Sequence, residues 1–264
     1  MTNDLHTDLI DTALALADAA RPATLRHFRS LDLGVDNKAD GGFDPVTAAD
    51  KAAERVMRDV LQGRRPEDGI LGEEYGQTIG KTGITWVLDP IDGTRGYLSG
   101  TPTWGVLIAA SGADGPMLGV IDQPYIGERF LGGFGQAWVE GPLGRRELQT
   151  RAARPLSEAI LFTTFPEVGS NEERLLFQRV EREVRLTRYG CDCYAYALLA
   201  AGQIDLVIEA GLHPYDIHAP IAVIEAAGGI VTDWQGGKAH DGGRVLAAAN
   251  PEIHAEALKL LNNP

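Results

Sequence analysis

Two carboxylates stand three residues apart in Trp86-Val87-Leu88-Asp89-Pro90-Ile91-Asp92-Gly93-Thr94, directly after an apolar run. Pro90 fixes one backbone dihedral and Gly93 permits a sharp bend, so Asp89 and Asp92 can be turned toward one point at the end of a strand. Two unit charges about 4 Å apart repel by ~1 kcal/mol in water and ~4 kcal/mol at an effective dielectric of 20, a penalty that a divalent cation reverses. All-oxygen ligation suits magnesium or manganese, and no His or Cys stands at zinc-ligand spacing beside these acids. Asp-Pro and Asp-Gly are also turn formers, so this segment alone reads equally well as a loop.

Further acids follow the same pattern. Gly72-Glu73-Glu74-Tyr75-Gly76 comes directly after the apolar pair Ile70-Leu71, and Asp216 lies in His213-Pro214-Tyr215-Asp216-Ile217 before an apolar helical run. Each has an ordinary use as well, Glu73 and Glu74 as solvated surface acids and Asp216 as a helix cap. Asp50 in Thr47-Ala48-Ala49-Asp50 fits a capping box as readily as a chemical role. If residues 94–98 are helical, the amides near Gly93 and Thr94 form an anion site beside the acids. Cation ligands next to an anion site point to phosphate.

The elements that must position these residues are legible from periodicity. Leu5, Leu9, Leu16 and Ala20 recur at helical spacing after Asp4, with Pro22 kinking or ending the helix, and Thr47 opens a second helix carrying Ala53, Val56, Met57, Val60 and Leu61 on one face. Short strands are predicted at 86–88, 104–109, 117–121, 129–131 and 137–139, separated by Gly, Pro and Asp turns, as in an antiparallel meander. Beyond residue 150 strands at 160–164, 206–208, 230–232 and 245–248 alternate with helices at 171–184, 194–201, 217–227 and 252–261. The expectation is two layered halves sharing one interface: residues 1–150, an α+β half with the meander and the acidic loop, and residues 151–264, an α/β half completing the site.

Composition sets limits. The 264 residues carry 24 Lys and Arg against 37 Asp and Glu, a net charge of -13 that gives nucleic acid and anionic membranes no general reason to bind. The first twenty residues lack the basic start and long apolar run of a secretory signal, and no stretch reaches the roughly 18 apolar residues of a membrane span, so a soluble cytoplasmic protein is expected. Cys191 and Cys193, the only cysteines, cannot cross-link distant parts of the fold.

These residues resemble the magnesium-dependent phosphatases of the inositol monophosphatase family. The carriers are residues 44–50, Gly72-Glu73-Glu74, residues 89–94, and Tyr215-Asp216 through Glu225-Ala226-Ala227-Gly228-Gly229, in the family's order. The resemblance implies an α/β fold, a layered αβαβα sandwich like those of inositol monophosphatase and fructose-1,6-bisphosphatase, and hydrolysis of a phosphomonoester by a metal-activated water. It implies two or three magnesium ions, with Glu73, Asp89 and the Ile91 carbonyl on the first and Asp89, Asp92 and Asp216 on the second. Asp50 with Thr94 would orient or deprotonate the water, Glu73 would share in catalysis, Gly93 and Thr94 would hold substrate, and Lys38 would lie near the site. Residues 119–124, Glu128-Arg129-Phe130 and 190–194 resemble the histidinol-phosphate phosphatase branch. By family position Asp192 and Glu209 would face the organic part of the substrate, where two carboxylates suit an ammonium or imidazolium better than a neutral sugar. Locally, Asp192 also reads as a helix cap and Glu209 as a solvated strand end. The resemblance further implies a homodimer acting on a small phosphorylated metabolite, with inositol monophosphate or another sugar or nucleotide phosphate as the other substrate class. Some relatives act as partners in RNA-related complexes, which leaves a binding module as the non-enzymatic reading.

Overall fold

Short apolar runs and apolar stripes at helical period build this chain into stacked layers, seen in a computed structural model that describes residues 3–30, 36–37 and 45–262. Lys38 and Asp44 lie outside the described residues. The chain begins with α1 (Asn3–Leu25), a ribbon of β1 (Asp36–Asn37) and β2 (Pro45–Val46), and α2 (Ala48–Arg64). Pro22 does not end α1, which runs on to Leu25. Then come β3 (Gly69–Gly72), β4 (Gly76–Thr78), β5 (Thr85–Asp92), α3 (Thr94–Ser99), β6 (Gly105–Gly112), β7 (Gly115–Gln123), β8 (Glu128–Gly133), β9 (Gln136–Gly141) and β10 (Gly144–Glu147). These strands form an eight-stranded sheet in the order β10-β9-β8-β7-β6-β5-β3-β4, the expected meander extended by β3, which runs parallel to β5, and β4.

The second half comprises β11 (Ile160–Thr163), α4 (Asn171–Glu181), β12 (Leu186–Tyr189), α5 (Cys193–Ala200), β13 (Leu206–Leu212), α6 (Pro214–Ala226), β14 (Ile230–Thr232), β15 (Gly243–Ala248) and α7 (Pro251–Asn262). Its five-stranded sheet has the order β12-β11-β13-β15-β14, with β11 parallel to both neighbours and β15 antiparallel to both of its own.

Side-chain alternation assigns each sheet face to a core. Trp86 and Leu88 on β5, with Val106, Ile108 and Ala110 on β6, pack against Leu9, Leu16, Met57 and Leu61 of α1 and α2. Val87, Leu107 and Ala109 point the other way and join Tyr196, Ile217, Val223, Val207 and Val245 in a central core around α5 and α6. Leu206, Ile208 and Leu246 face outward to Phe177 of α4 and Ile253 of α7. The layers are therefore helix, sheet, helix, sheet, helix, as strands with two apolar faces require. Among the described residues, no helix is long and apolar enough to cross a membrane.

Candidate active site

The pleat of β5 sets the position of the first acid. Val87 faces the central helical layer, so Asp89, two residues on, is turned the same way. The ladder with β6 slips between Asp89 and Asp92, which breaks the alternation and lets both acids reach one place. Gly93 follows at φ +85°, the bend expected of it, and starts α3. From the central layer, α6 brings Asp216 in its first turn. Asp216 is not the helix cap; His213 holds that place, and its backbone N–H donates to Asp216 Oδ2 at 2.7 Å. Carboxylate oxygens of Asp89, Asp92 and Asp216 all lie within 4.8 Å of one another.

Three acids this close resist ionisation. Burial first, then the charges of Glu73, Asp92 and Asp216, holds the Asp89 carboxyl well above the usual carboxylate range. Burial likewise pushes Asp92 and Asp216 up to about 7, with the charge of Asp216 adding to Asp92 and that of Glu73 adding to Asp216. The Cys193 backbone N–H, donating to Asp92 Oδ2 at 2.5 Å, opposes the rise. A crowded all-oxygen donor set short of positive charge fits a hard divalent cation such as magnesium.

Glu73 and Ile91 line the same cleft. Glu73 follows β3, its N–H donating to the Leu88 carbonyl at 3.2 Å, and its carboxyl is hydrogen-bonded with that of Asp89. The Ile91 N–H donates to Asp89 Oδ1 at 3.0 Å, and the Ile91 carbonyl accepts from Thr94 Oγ1 at 3.2 Å. Asp50 does not line the cleft. It is buried in the first turn of α2, where Oδ2 accepts from the Thr47 N–H at 2.8 Å and hydroxyl at 2.6 Å, the capping-box reading of the sequence. Burial, opposed by these bonds and helped by the charge of Glu73, raises its carboxyl to about 6.

Asp192 and Glu209 enter the cleft from the second half. Asp192 precedes α5 but makes no side-chain cap; its backbone sits at φ +45° and ψ -138°, a conformation strained for any residue with a Cβ. A Cβ on Gly93 would stand 2.9 Å from its Cγ, so only glycine lets the two segments meet. Glu209 is no solvated strand end. It is 6% exposed, with Oε1 accepting from the Thr164 N–H at 2.7 Å and hydroxyl at 2.9 Å. Burial lifts both carboxyls to about 7, with the charge of Asp92 adding to Asp192 and that of Asp192 to Glu209.

Sequence reasoning missed Tyr196, Arg95 and Phe165, which also line the cleft. Tyr196 is buried with its hydroxyl unpartnered among the described residues, and a tyrosine inside a run of small apolar residues was the available signal. The Arg95 guanidinium lies 4.7 Å over the Phe165 ring and joins α3 to the loop after β11, a contact no local pattern announces. His218 is packed between Ser111 Oγ at 2.8 Å and the His240 carbonyl at 2.7 Å.

Acids converging from β5, the turn after β3 and α6, at the start of a short helix and between two sheets, form a donor set suited to divalent cations. Residues 6–263 match the model of the inositol monophosphatase family, and the chain belongs to that family. It is 40% identical to the bifunctional phosphatase IMPL2, chloroplastic, of Arabidopsis thaliana over 99% of this chain and 79% of that one. It is 36% identical to the histidinol-phosphatase of Mycobacterium tuberculosis, covering 97% of this chain and 98% of the relative. A solved inositol monophosphatase from Zymomonas mobilis superposes with a TM-score of 0.86 at 38% identity, covering 98% of this chain and 99% of that one. The expected layered αβαβα sandwich is the fold, and the expected phosphomonoesterase is the enzyme class.

Proposed function

We propose that the chain hydrolyses histidinol phosphate to histidinol and phosphate. The observation that carries this reading is the pair Asp192 and Glu209, two carboxylates set in the cleft beside the acid cluster and brought there by the second sheet. Placed so, they complement the amine and imidazole of a cationic alcohol through charge-assisted hydrogen bonds. The likeness to the mycobacterial histidinol-phosphatase supports it.

Glu73, Asp89, Asp92, Asp216 and the Ile91 carbonyl would hold two or three magnesium ions, for which manganese would substitute. When bound, the cations neutralise phosphoryl charge and lower the pKa of water. Thr94, which lines the cleft, would orient the attacking water, and Asp50, buried behind it with a carboxyl raised to about 6, would act through it as the proton acceptor. Glu73 shares in catalysis by steering that water beside the acids. Gly93 and Thr94 would hold the phosphate at the start of α3. In this reading residues 1–150 supply the ions' ligands up to Asp92, and residues 151–264 complete the site. On this reading the enzyme works in the cytoplasm as a homodimer serving histidine biosynthesis, away from nucleic acid and membrane.

The test is phosphate release from histidinol phosphate, inositol 1-phosphate and an adenosine bisphosphate, each with magnesium and with excess chelator. Histidinol phosphate is expected to be strongly preferred, and Asp192→Asn and Glu209→Gln to lose about 10-fold or more on that ester alone. The likeness to the Zymomonas inositol monophosphatase favours the second reading, which a preference for inositol 1-phosphate would establish. Equal losses on all three esters would remove the two carboxylates from substrate selection.

A further inference from the structure

One buried acid near the cleft has no place in this chemistry. Glu54 on α2 is 0% exposed, and it lies one turn beyond Asp50. Its carboxylate reaches across to the turn after β3: Oε2 accepts from the Glu74 N–H at 2.6 Å, and Oε1 from the Tyr75 N–H at 3.2 Å. Arg58, one turn further along α2, holds Oε1 at 2.8 Å and donates to the Gly76 carbonyl at 2.5 Å. The Tyr75 hydroxyl donates to the Lys51 carbonyl at 3.2 Å. Residues 51, 54 and 58 recur at helical spacing, so one face of α2 straps down the turn that begins with Glu73.

The fit is tight. A Cβ on Gly72 would stand 2.0 Å from Glu54 Oε1, so the residue before Glu73 must be glycine for the carboxylate to reach the amides. A carboxyl group bonded to two successive amides fixes the backbone on either side of them. Glu73 is adjacent to the first.

We propose that Glu54 is a positioning residue for the divalent cation: it sets the backbone of the 73–75 turn, and through it the affinity of the site. This rests on the reading of Glu73 as a cation ligand, though not on the identity of the substrate. Groups that orient ligands from behind typically change metal affinity about 10- to 100-fold when altered.

The experiment is magnesium binding to the full chain by isothermal titration calorimetry without substrate, for the parent, Glu54→Gln, Gly72→Ala and Glu73→Gln. Melting in chelator and turnover at saturating magnesium are read alongside. Glu54→Gln keeps the side chain's volume and is expected to weaken magnesium binding about 10-fold, with turnover at saturating magnesium within about 2-fold of the parent. Gly72→Ala displaces the same carboxylate from the other side and is expected to weaken binding equally, which serves should Glu54→Gln not fold. A lower melting temperature with parental magnesium affinity in either folded variant overturns the proposal and leaves Glu54 a structural acid. Parental affinity in Glu73→Gln sinks the ligand reading beneath it instead.

Discussion

At the scale of single residues, Asp89 bears the heaviest electrostatic load. It is 2% exposed and surrounded by the charges of Glu73, Asp92 and Asp216, so without a cation the folded chain gains nothing from ionising it. Asp89→Asn keeps the shape, and its amide oxygen still accepts from the Ile91 N–H. Turnover is expected to fall by about 1,000-fold or more, because the variant removes a charged ligand where phosphoryl charge must be neutralised. Melting in chelator is expected to stay level or rise, since one member of a repelling set has gone. Phosphate release and circular dichroism melts decide it; retained activity with a native spectrum would sink the assignment of Asp89. The acid pair was legible because Pro90 and Gly93 announce the bend. The positions of Asp192 and Glu209 were legible only through the family resemblance and not from local pattern, since the contact of Asp192 with Gly93 joins segments about a hundred residues apart.

At the scale of elements, the sequence revealed what packing demands. Strands with both faces buried, such as β5, β6 and β7, declare themselves by near-continuous apolar runs. The strands β4, β10 and β12 went unseen because their residues are almost all exposed; backbone pairing alone makes them strands, and any polar sequence serves. The seating of α6 was equally silent. A Cβ on Gly119 of β7 would stand 2.3 Å from the Ala219 carbonyl oxygen, and one on Gly132 of β8 would stand 2.4 Å from Val223 Cα. Two glycines thus let the helix that carries Asp216 lie against the sheet that carries Asp89 and Asp92. Gly119→Ala is expected to destabilise the chain by about 2 kcal/mol, some 4 to 8 °C in Tm, because the obstacle is backbone. It should also weaken magnesium binding, as Asp216 is pushed from its partners. Gly63→Ala is the control: it lies inside α2 with nothing within 4 Å of a new Cβ, and is expected to stabilise by about 0.5 to 1 kcal/mol. Equal melting temperatures for Gly119→Ala and the parent would show that the contact yields.

At the scale of the whole molecule, both halves place negative charge in one cleft, in a chain whose net charge is already -13. Asp92, Asp192, Asp216 and Glu209 are each raised to about 7 from ordinary values of 3.8 or 4.5, chiefly by burial. A raised carboxyl binds its proton more tightly in the folded chain than in the unfolded one. The stability it lends is therefore complete below about pH 4 and is lost as pH rises through about 7. Three histidines act in the opposite sense: burial lowers His218, His240 and His254, which favours the folded chain as pH rises to 6.5, and adds little above it. The window from about pH 6.5 to 8 thus isolates the acids. In chelator, Tm is expected to fall by about 5 °C or more across that window. Magnesium binds the ionised form and stabilises only the folded chain, so saturating magnesium is expected to flatten or reverse the slope, with an affinity that climbs over the same range. Melting curves at pH 6.5, 7.2 and 8, each with magnesium and with chelator, measure both effects. A Tm that is level across the window in chelator and unmoved by magnesium at pH 8 would mean that the cleft's acids are neither strained by one another nor relieved by a cation.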